Sequence, residues 1–169
     1  MNFTIIRNAM MFVALLLTQA AVLNHIHIFD YITPMLYAYF IIRMRRDVPK
    51  WAILIWCFAL GLCADILTNT PGVGAASMTL AGLVQPYLLK LFVTQESAED
   101  LRPSFVTLGT AKYVSYASTL TLVYCLTFFT LEAFNFFAWQ QWIIATFGST
   151  LLSTALILAV ENVRTLGKS

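Results

Sequence analysis

Six long stretches without a charged residue divide the chain, and Ile, Leu, Val, Phe and Ala dominate each of them. Such continuous apolar runs lack the alternation of β-barrel strands, so they predict α-helices. A helix needs about 20 residues to cross a bilayer, and the second and third stretches are short for this unless a flanking charge lies at the boundary. The predicted spans are 5–23, 31–44, 51–67, 73–93, 112–131 and 139–160.

Composition excludes an ordinary soluble domain. Of the 169 residues, 60% are apolar and 11% charged, whereas soluble domains average about 45–50% and about 25%. The net charge of +2 is too small to indicate a nucleic-acid partner. Because the loops between the spans are short, we expect residues 1–169 to form a single all-α polytopic membrane domain of six transmembrane helices.

The positions of the charges predict the orientation. If the spans are threaded alternately with the N-terminus inside, all 10 Lys and Arg residues lie on one side, and the outer loops carry Asp30, Asp65 and Glu132. The positive-inside rule then assigns both termini to the cytoplasm. A cleaved signal peptide is an alternative for the first stretch, but a retained helical hairpin keeps the span count even and is favoured.

Few residues could take part in catalysis or metal binding. His25 and His27 stand together in the first outer loop as the two His residues of the chain, and two imidazoles make a poor metal site. Cys57, Cys63 and Cys125 lie within spans and are interpreted as small packing residues. The sequence contains neither a G-x-S-x-G nor an H-E-x-x-H motif. We therefore expect no enzyme activity, no metal and no cofactor.

Asp65 is the most informative single residue, because it closes the third span. An acid costs about 2.5–3.5 kcal/mol at mid-membrane and less near the surface, so it needs hydrogen-bond donors. Three interpretations remain open: a structural acid facing the bundle interior, an interfacial helix end that accepts bonds from the following turn, and a group coupled to a proton or ligand.

Small and polar residues mark one face of the fourth span. Pro71 and Gly72 predict a tight outer turn. After this turn, Gly74, Ser77 and Gln85 fall on a narrow stripe, which predicts close helix packing. Pro86 predicts a kink near the end of the same span.

Hydroxyl residues recur on one face of the sixth span. Thr146, Thr150 and Thr154 stand at i, i+4 and i+8, beside Ser149 and Ser153. This pattern predicts a second packing seam. If no helix of the chain covers the seam, it is a docking face for a partner, and the sequence leaves both alternatives open.

Several short motifs resemble the family of the rod shape-determining protein MreD. They are Pro34 with Leu36 and Tyr37, the basic turn after the second span, Gly61-Leu62-x-x-Asp65, and Pro71-Gly72-x-Gly74-Ala75. The resemblance implies a fold similar to the substrate-binding (S) components of energy-coupling factor transporters. It implies that Gly61, Asp65 and Gly72 serve the fold and partner binding.

The family resemblance also implies a function. It indicates a non-enzymatic scaffold of the cell-elongation machinery in the bacterial inner membrane, which binds the single-span protein MreC. Through MreC it would couple MreB filaments to peptidoglycan synthesis by RodA and a penicillin-binding transpeptidase. One alternative is a vitamin-binding S component, although the Ala-x-x-x-Ala stripe of such proteins is missing from the first span. A small intramembrane enzyme is a second alternative.

Overall fold

The computed structural model describes residues 2–21, 35–45, 48–69, 72–93, 103–133 and 139–166. Within these ranges the secondary structure is helical, which confirms the predicted all-α class. The helices are α1 (Asn2–Ala21), α2 (Tyr37–Ile42), α3 (Lys50–Thr68), α4 (Val73–Phe92), α5 (Phe105–Leu108), α6 (Thr110–Glu132) and α7 (Trp139–Leu166).

Among the described residues, three helices are long and apolar enough to cross a bilayer: Lys50–Thr68, Thr110–Glu132 and Trp139–Thr165. Their surfaces agree with this assignment. In α7 the buried positions include hydroxyl residues such as Ser149 and Ser153, whereas Phe147 and Leu151 are exposed. Such a helix would be unfavourable in water but suits a lipid environment, where the surroundings are themselves apolar. The chain is therefore a helical membrane protein.

Helices α1, α3, α4 and α6 match four of the predicted spans to within three residues at each end. Helix α7 begins where the sixth predicted span begins, but it continues to Leu166. The short connection before α6 holds the additional helix α5. The second predicted span, 31–44, contains only the six-residue helix α2 among its described residues, and residues 31–34 lie outside them. That all six stretches cross the membrane stays a prediction.

Short helix α2 lies at the centre of the bundle. All six of its residues are buried, as expected for a helix that is apolar on every side. It packs against α1, α3, α4 and α6. Its N-terminal side is also tied to α7, because the backbone N–H of Met35 donates to the Ser153 hydroxyl at 2.9 Å.

Helices α3 and α4 form a hairpin, and further packing of α4 on α6 and of α6 on α7 extends the bundle. The first helix of the pair ends at Asn69, which has the left-handed φ of 57°. Asn is one of the few residues besides Gly that adopt this conformation readily. The tight reversal brings the C-terminal end of α3 beside the first turn of α4.

Candidate functional site

The Asp65 carboxylate binds the first turn of the neighbouring helix α4. Its Oδ1 atom accepts a hydrogen bond from the N–H of Gly74 at 2.7 Å, and its Oδ2 atom accepts one from the N–H of Ala75 at 2.9 Å. These are the second and third residues of α4, whose N–H groups have no acceptor within their own helix. Asp65 therefore caps α4 from α3, and its negative charge also complements the positive end of the helix dipole.

The capping geometry offsets the cost of burying this acid. The Asp65 side chain is only 6% exposed, and both carboxylate oxygens have backbone donors. The contacts combine features of two predicted alternatives, because Asp65 is buried and also binds the element that follows its helix. They are the contacts of a structural residue.

Gly61 permits the close approach on which this cap depends. A β-carbon at Gly61 would lie 2.6 Å from the Cα of Ala75 and 2.6 Å from the carbonyl oxygen of Gly74. Both are backbone atoms, so they cannot move aside without shifting the helix. At Gly74 itself, a β-carbon would lie 2.5 Å from Oδ1 of Asp65. The structure thus brings Gly61, Asp65 and Gly74 together into one helix crossing, which we call the α3–α4 crossing.

Two more predicted residues, Pro71 and Gly72, lie between the two helices in the sequence. Gly72 precedes α4 with a φ of +84°, a conformation that L-residues with a side chain rarely adopt. No atom lies within 4 Å of the position of a β-carbon there, so its backbone conformation and not space favours Gly. Pro71 lies outside the described residues.

Farther along α4, the two remaining predicted residues are buried. Ser77 is fully buried, and its hydroxyl donates to the carbonyl of Val73 in its own helix at 2.7 Å. Gln85 is 1% exposed, and its Nε2 atom donates to the Tyr116 hydroxyl of α6 at 3.2 Å. The Oε1 atom of Gln85 has no hydrogen-bond partner among the described residues. The predicted stripe of α4 thus faces the bundle interior.

The predicted seam of α7 also faces the interior. Thr146 and Thr150 are buried and donate to carbonyls of their own helix, at 2.8 and 2.6 Å. The seam is not fully covered, because Thr150 and Thr154 also line an apolar groove of about 540 Å³ between α6 and α7. Thr154 is 9% exposed, and its hydroxyl oxygen has no partner among the described residues.

A buried ion pair was missed by the sequence reading. Glu161 of α7 is 2% exposed, and its Oε2 atom lies 3.0 Å from Nη1 of Arg43, which is 6% exposed. The Tyr39 hydroxyl donates to the same oxygen at 2.6 Å. Arg164 reaches it at 3.5 Å from the next turn of α7. This cluster ties the end of α2 to the end of α7, and the desolvated charges are stable because they are paired.

The sequence did carry a signal for this cluster. Ser149, Ser153, Ile157 and Glu161 recur every four residues, so Glu161 continues the buried stripe of α7. The span was instead predicted to end at residue 160, which placed Glu161 in the solvated tail. Arg43 was likewise assigned to the charged turn after the second span.

Other basic residues gather at the same end of the bundle. Arg45, Lys50 and Lys90 line one cavity of about 230 Å³. Lys50 also contacts Tyr87, with Nζ 3.2 Å from the hydroxyl and 4.6 Å from the ring centre. The α3–α4 crossing is at the opposite end of both helices, so Asp65 lies far from these cations. The orientation of the two ends in the membrane stays a prediction.

The remaining predicted residues do not form a site in the described part of the chain. The three Cys residues are free thiols, and Cys57 packs against Gly82 of α4. His25 and His27 lie outside the described residues. In comparisons with known proteins, no family model, no curated protein and no solved structure matches this chain.

Proposed function

We propose that the protein is a non-enzymatic scaffold of the bacterial cell-elongation machinery in the inner membrane. In this role it binds an MreC-like single-span protein and helps couple MreB filaments to peptidoglycan synthesis by RodA and a penicillin-binding transpeptidase. Six spans cross the membrane and both termini lie in the cytoplasm. The observation that carries the proposal is the Asp65 cap on α4.

This cap supports the proposal because three residues of the motifs that resemble the MreD family share one role in it. Gly61 allows the two backbones to approach, Asp65 binds the start of α4, and Gly74 provides both an N–H group and the space for the carboxylate. All three build the shape of the bundle. Residues used in this way favour a protein that holds its partners over one that transforms a substrate.

The groove between α6 and α7 is where we place the partner's transmembrane helix. Its lining is largely apolar, with exposed Phe147 and Leu151 on one wall. A partner helix with an apolar face would cover these exposed side chains, and close van der Waals packing of this kind drives helix association in lipid.

Co-purification tests the proposal. The full-length protein is tagged, extracted in mild detergent from its native host, and the proteins that accompany it are identified. Recovery of an MreC-like protein, together with rounding of the cells when the protein is depleted, is the expected result. Recovery of an ATPase with a coupling subunit, or of a stoichiometric vitamin, would instead establish the transporter alternative, and unchanged rod shape on depletion would contradict the scaffold role.

A matched pair of variants tests the groove. Leu151 is 74% exposed and lines the groove, whereas Ile144 is 57% exposed on the same helix and lies outside its lining. We expect Leu151→Trp to lower recovery of the MreC-like protein and Ile144→Trp to leave it unchanged, with both variants melting like the parent. Equal recovery from the two variants would place the partner elsewhere.

A further inference from the structure

The cavity at the basic end of the bundle has features that its role in packing does not explain. It lies between the start of α3 and the end of α4, and its volume of about 230 Å³ is several times that of a water molecule, about 30 Å³. It therefore has room for a phosphate-sized group. Arg45, Lys50 and Lys90 all line it.

The positive charges around this cavity come from separate parts of the chain. Arg45 belongs to the segment after α2, Lys50 begins α3, and Lys90 lies in the last turn of α4. Lys50 and Lys90 are both exposed, so their ammonium groups can reach a ligand at the membrane surface. A phosphate in the cavity would offer these cations an acceptor of opposite charge, and such charge-assisted hydrogen bonds are stronger than neutral ones.

A buried amide at the wall of the cavity is the second, independent feature. Gln85 is 1% exposed and lines the cavity, and one end of its amide has no hydrogen-bond partner among the described residues. Its other end contacts the Tyr116 hydroxyl at 3.2 Å. Since a phenol hydroxyl both donates and accepts, the amide can turn either its N–H₂ or its oxygen to a ligand. A buried polar group without a partner is costly, and a ligand removes that cost.

Pro86 contributes to the shape of the same wall. It stands one turn before Lys90 on the face of α4 that lines the cavity, and its ring offers an apolar surface. A ligand with a phosphate and an adjoining hydrocarbon part would therefore find partners of both kinds. Basic pockets between membrane helices on the cytoplasmic side bind anionic lipid headgroups in this manner.

We infer that the cavity bounded by Arg45, Lys50, Gln85 and Lys90 is a binding site for a phosphate group of net negative charge, such as the headgroup of an anionic phospholipid. The cations attract and hold the phosphate, and the Gln85 amide binds one of its oxygens or a headgroup hydroxyl. This site is independent of the proposed function, because it requires only the purified chain.

Native mass spectrometry of the full-length protein in detergent tests the site. The protein is titrated in parallel with dioleoylphosphatidylglycerol, with dioleoylphosphatidylcholine and with inorganic phosphate. Phosphatidylglycerol should bind about fivefold or more tightly than phosphatidylcholine, since one cation near an anionic headgroup contributes about that factor. If inorganic phosphate displaces phosphatidylglycerol, the site also binds free phosphate. If it does not, the site binds the lipid headgroup alone.

Two lysine variants and one control test whether the lipid binds at this cavity. Lys50→Gln and Lys90→Gln should each weaken phosphatidylglycerol binding about fivefold. Lys112→Gln is the control, because Lys112 is also exposed and lies one turn before Tyr116, which contacts Gln85 and Phe92 at this end of the bundle. An unchanged affinity in the control supports the site. An equal loss in all three variants, or equal binding of the two lipids by the parent protein, would overturn it.

Discussion

Cys57 of α3 packs directly on Gly82 of α4, in the middle of the helix pair. A β-carbon at position 82 would lie 2.6 Å from the Cys57 Sγ atom and 3.2 Å from its Cβ atom. Both residues are buried. This contact continues the close approach that begins at Gly61, so the two helices are packed through small residues over much of their length, as is common between helices in lipid.

The first prediction concerns this contact. Gly82→Ala should destabilise the protein by about 1–3 kcal/mol, because the added methyl group overpacks the interface. Cys57→Ala removes the sulfur atom, so the double variant Cys57→Ala with Gly82→Ala should recover part of the loss. Melting of all four proteins in the same detergent gives the coupling energy. Additive losses would show that the two residues do not share one constraint.

The second prediction concerns the cap on α4. Asp65→Ala should lower stability by about 2–4 kcal/mol, because it leaves two buried N–H groups without their charged acceptor. Asp65→Asn should cost nearly as much, since an amide can accept one of the bonds but turns a donor toward the other N–H group. The control is Glu132→Gln, an acid that is exposed at the end of α6. Similar melting temperatures for the Asp65 and Glu132 variants would contradict the capping role.

The third prediction concerns the buried ion pair. Glu161→Gln and Arg43→Met should each cost about 3–5 kcal/mol, because each change leaves one buried charge without its partner. The double variant Arg43→Met with Glu161→Leu should be much less destabilised than the sum of the single changes. Thermal melting of the purified variants measures both effects.

The control for that prediction lies in the same cluster. Arg164 contacts the same carboxylate oxygen at 3.5 Å, but its side chain is 38% exposed. Because Arg164 is partly solvated and Glu161 keeps its shorter contacts with Arg43 and Tyr39, Arg164→Gln should change melting little. A large loss of stability from Arg164→Gln, or a small one from Arg43→Met, would contradict the assignment of Arg43 as the main partner of Glu161.

The fourth prediction concerns the face of α4 that packs on the bundle. Ser77 is fully buried, whereas its neighbour Ala76 is exposed. We expect Ser77→Leu to destabilise the protein by about 1–3 kcal/mol through overpacking. Ala76→Leu enlarges a side chain on the lipid-facing surface of the same turn and should have little effect. If both variants melt alike, the buried stripe of α4 has no special packing role.

Much of the helical layout could be predicted from the sequence. The predicted bounds of α3, 51–67, agree with the structure to within one residue at each end, because the apolar run begins directly after the charged residue Lys50. Close packing was expected at the stripe that contains Gly74, and binding of Asp65 to the following turn was one of three alternatives. That Gly61, Asp65 and Gly74 meet in one helix crossing was not predicted. The acceptor role of Asp65 could not be assigned to particular donors, because those are backbone groups and carry no sequence signal.

Other parts depended on contacts between distant segments. Arg43 and Glu161 are 118 residues apart, and either one alone is consistent with a solvated loop. Helix α2 has six residues, and its burial comes from the helices around it. No periodicity within 31–44 indicates that this stretch would form a short central helix.

The cap on α4 has a consequence for how the chain enters the membrane. While α3 stands alone, the Asp65 carboxylate at its end lacks the two backbone N–H groups that bind it in the folded protein, and an uncompensated acid resists transfer into hydrocarbon. Once the first turn of α4 has formed, its N–H groups bind the carboxylate and lower the cost of moving it out of water. We therefore expect α3 and α4 to enter the bilayer together, with the capped ends of the two helices leading and the charged ends following.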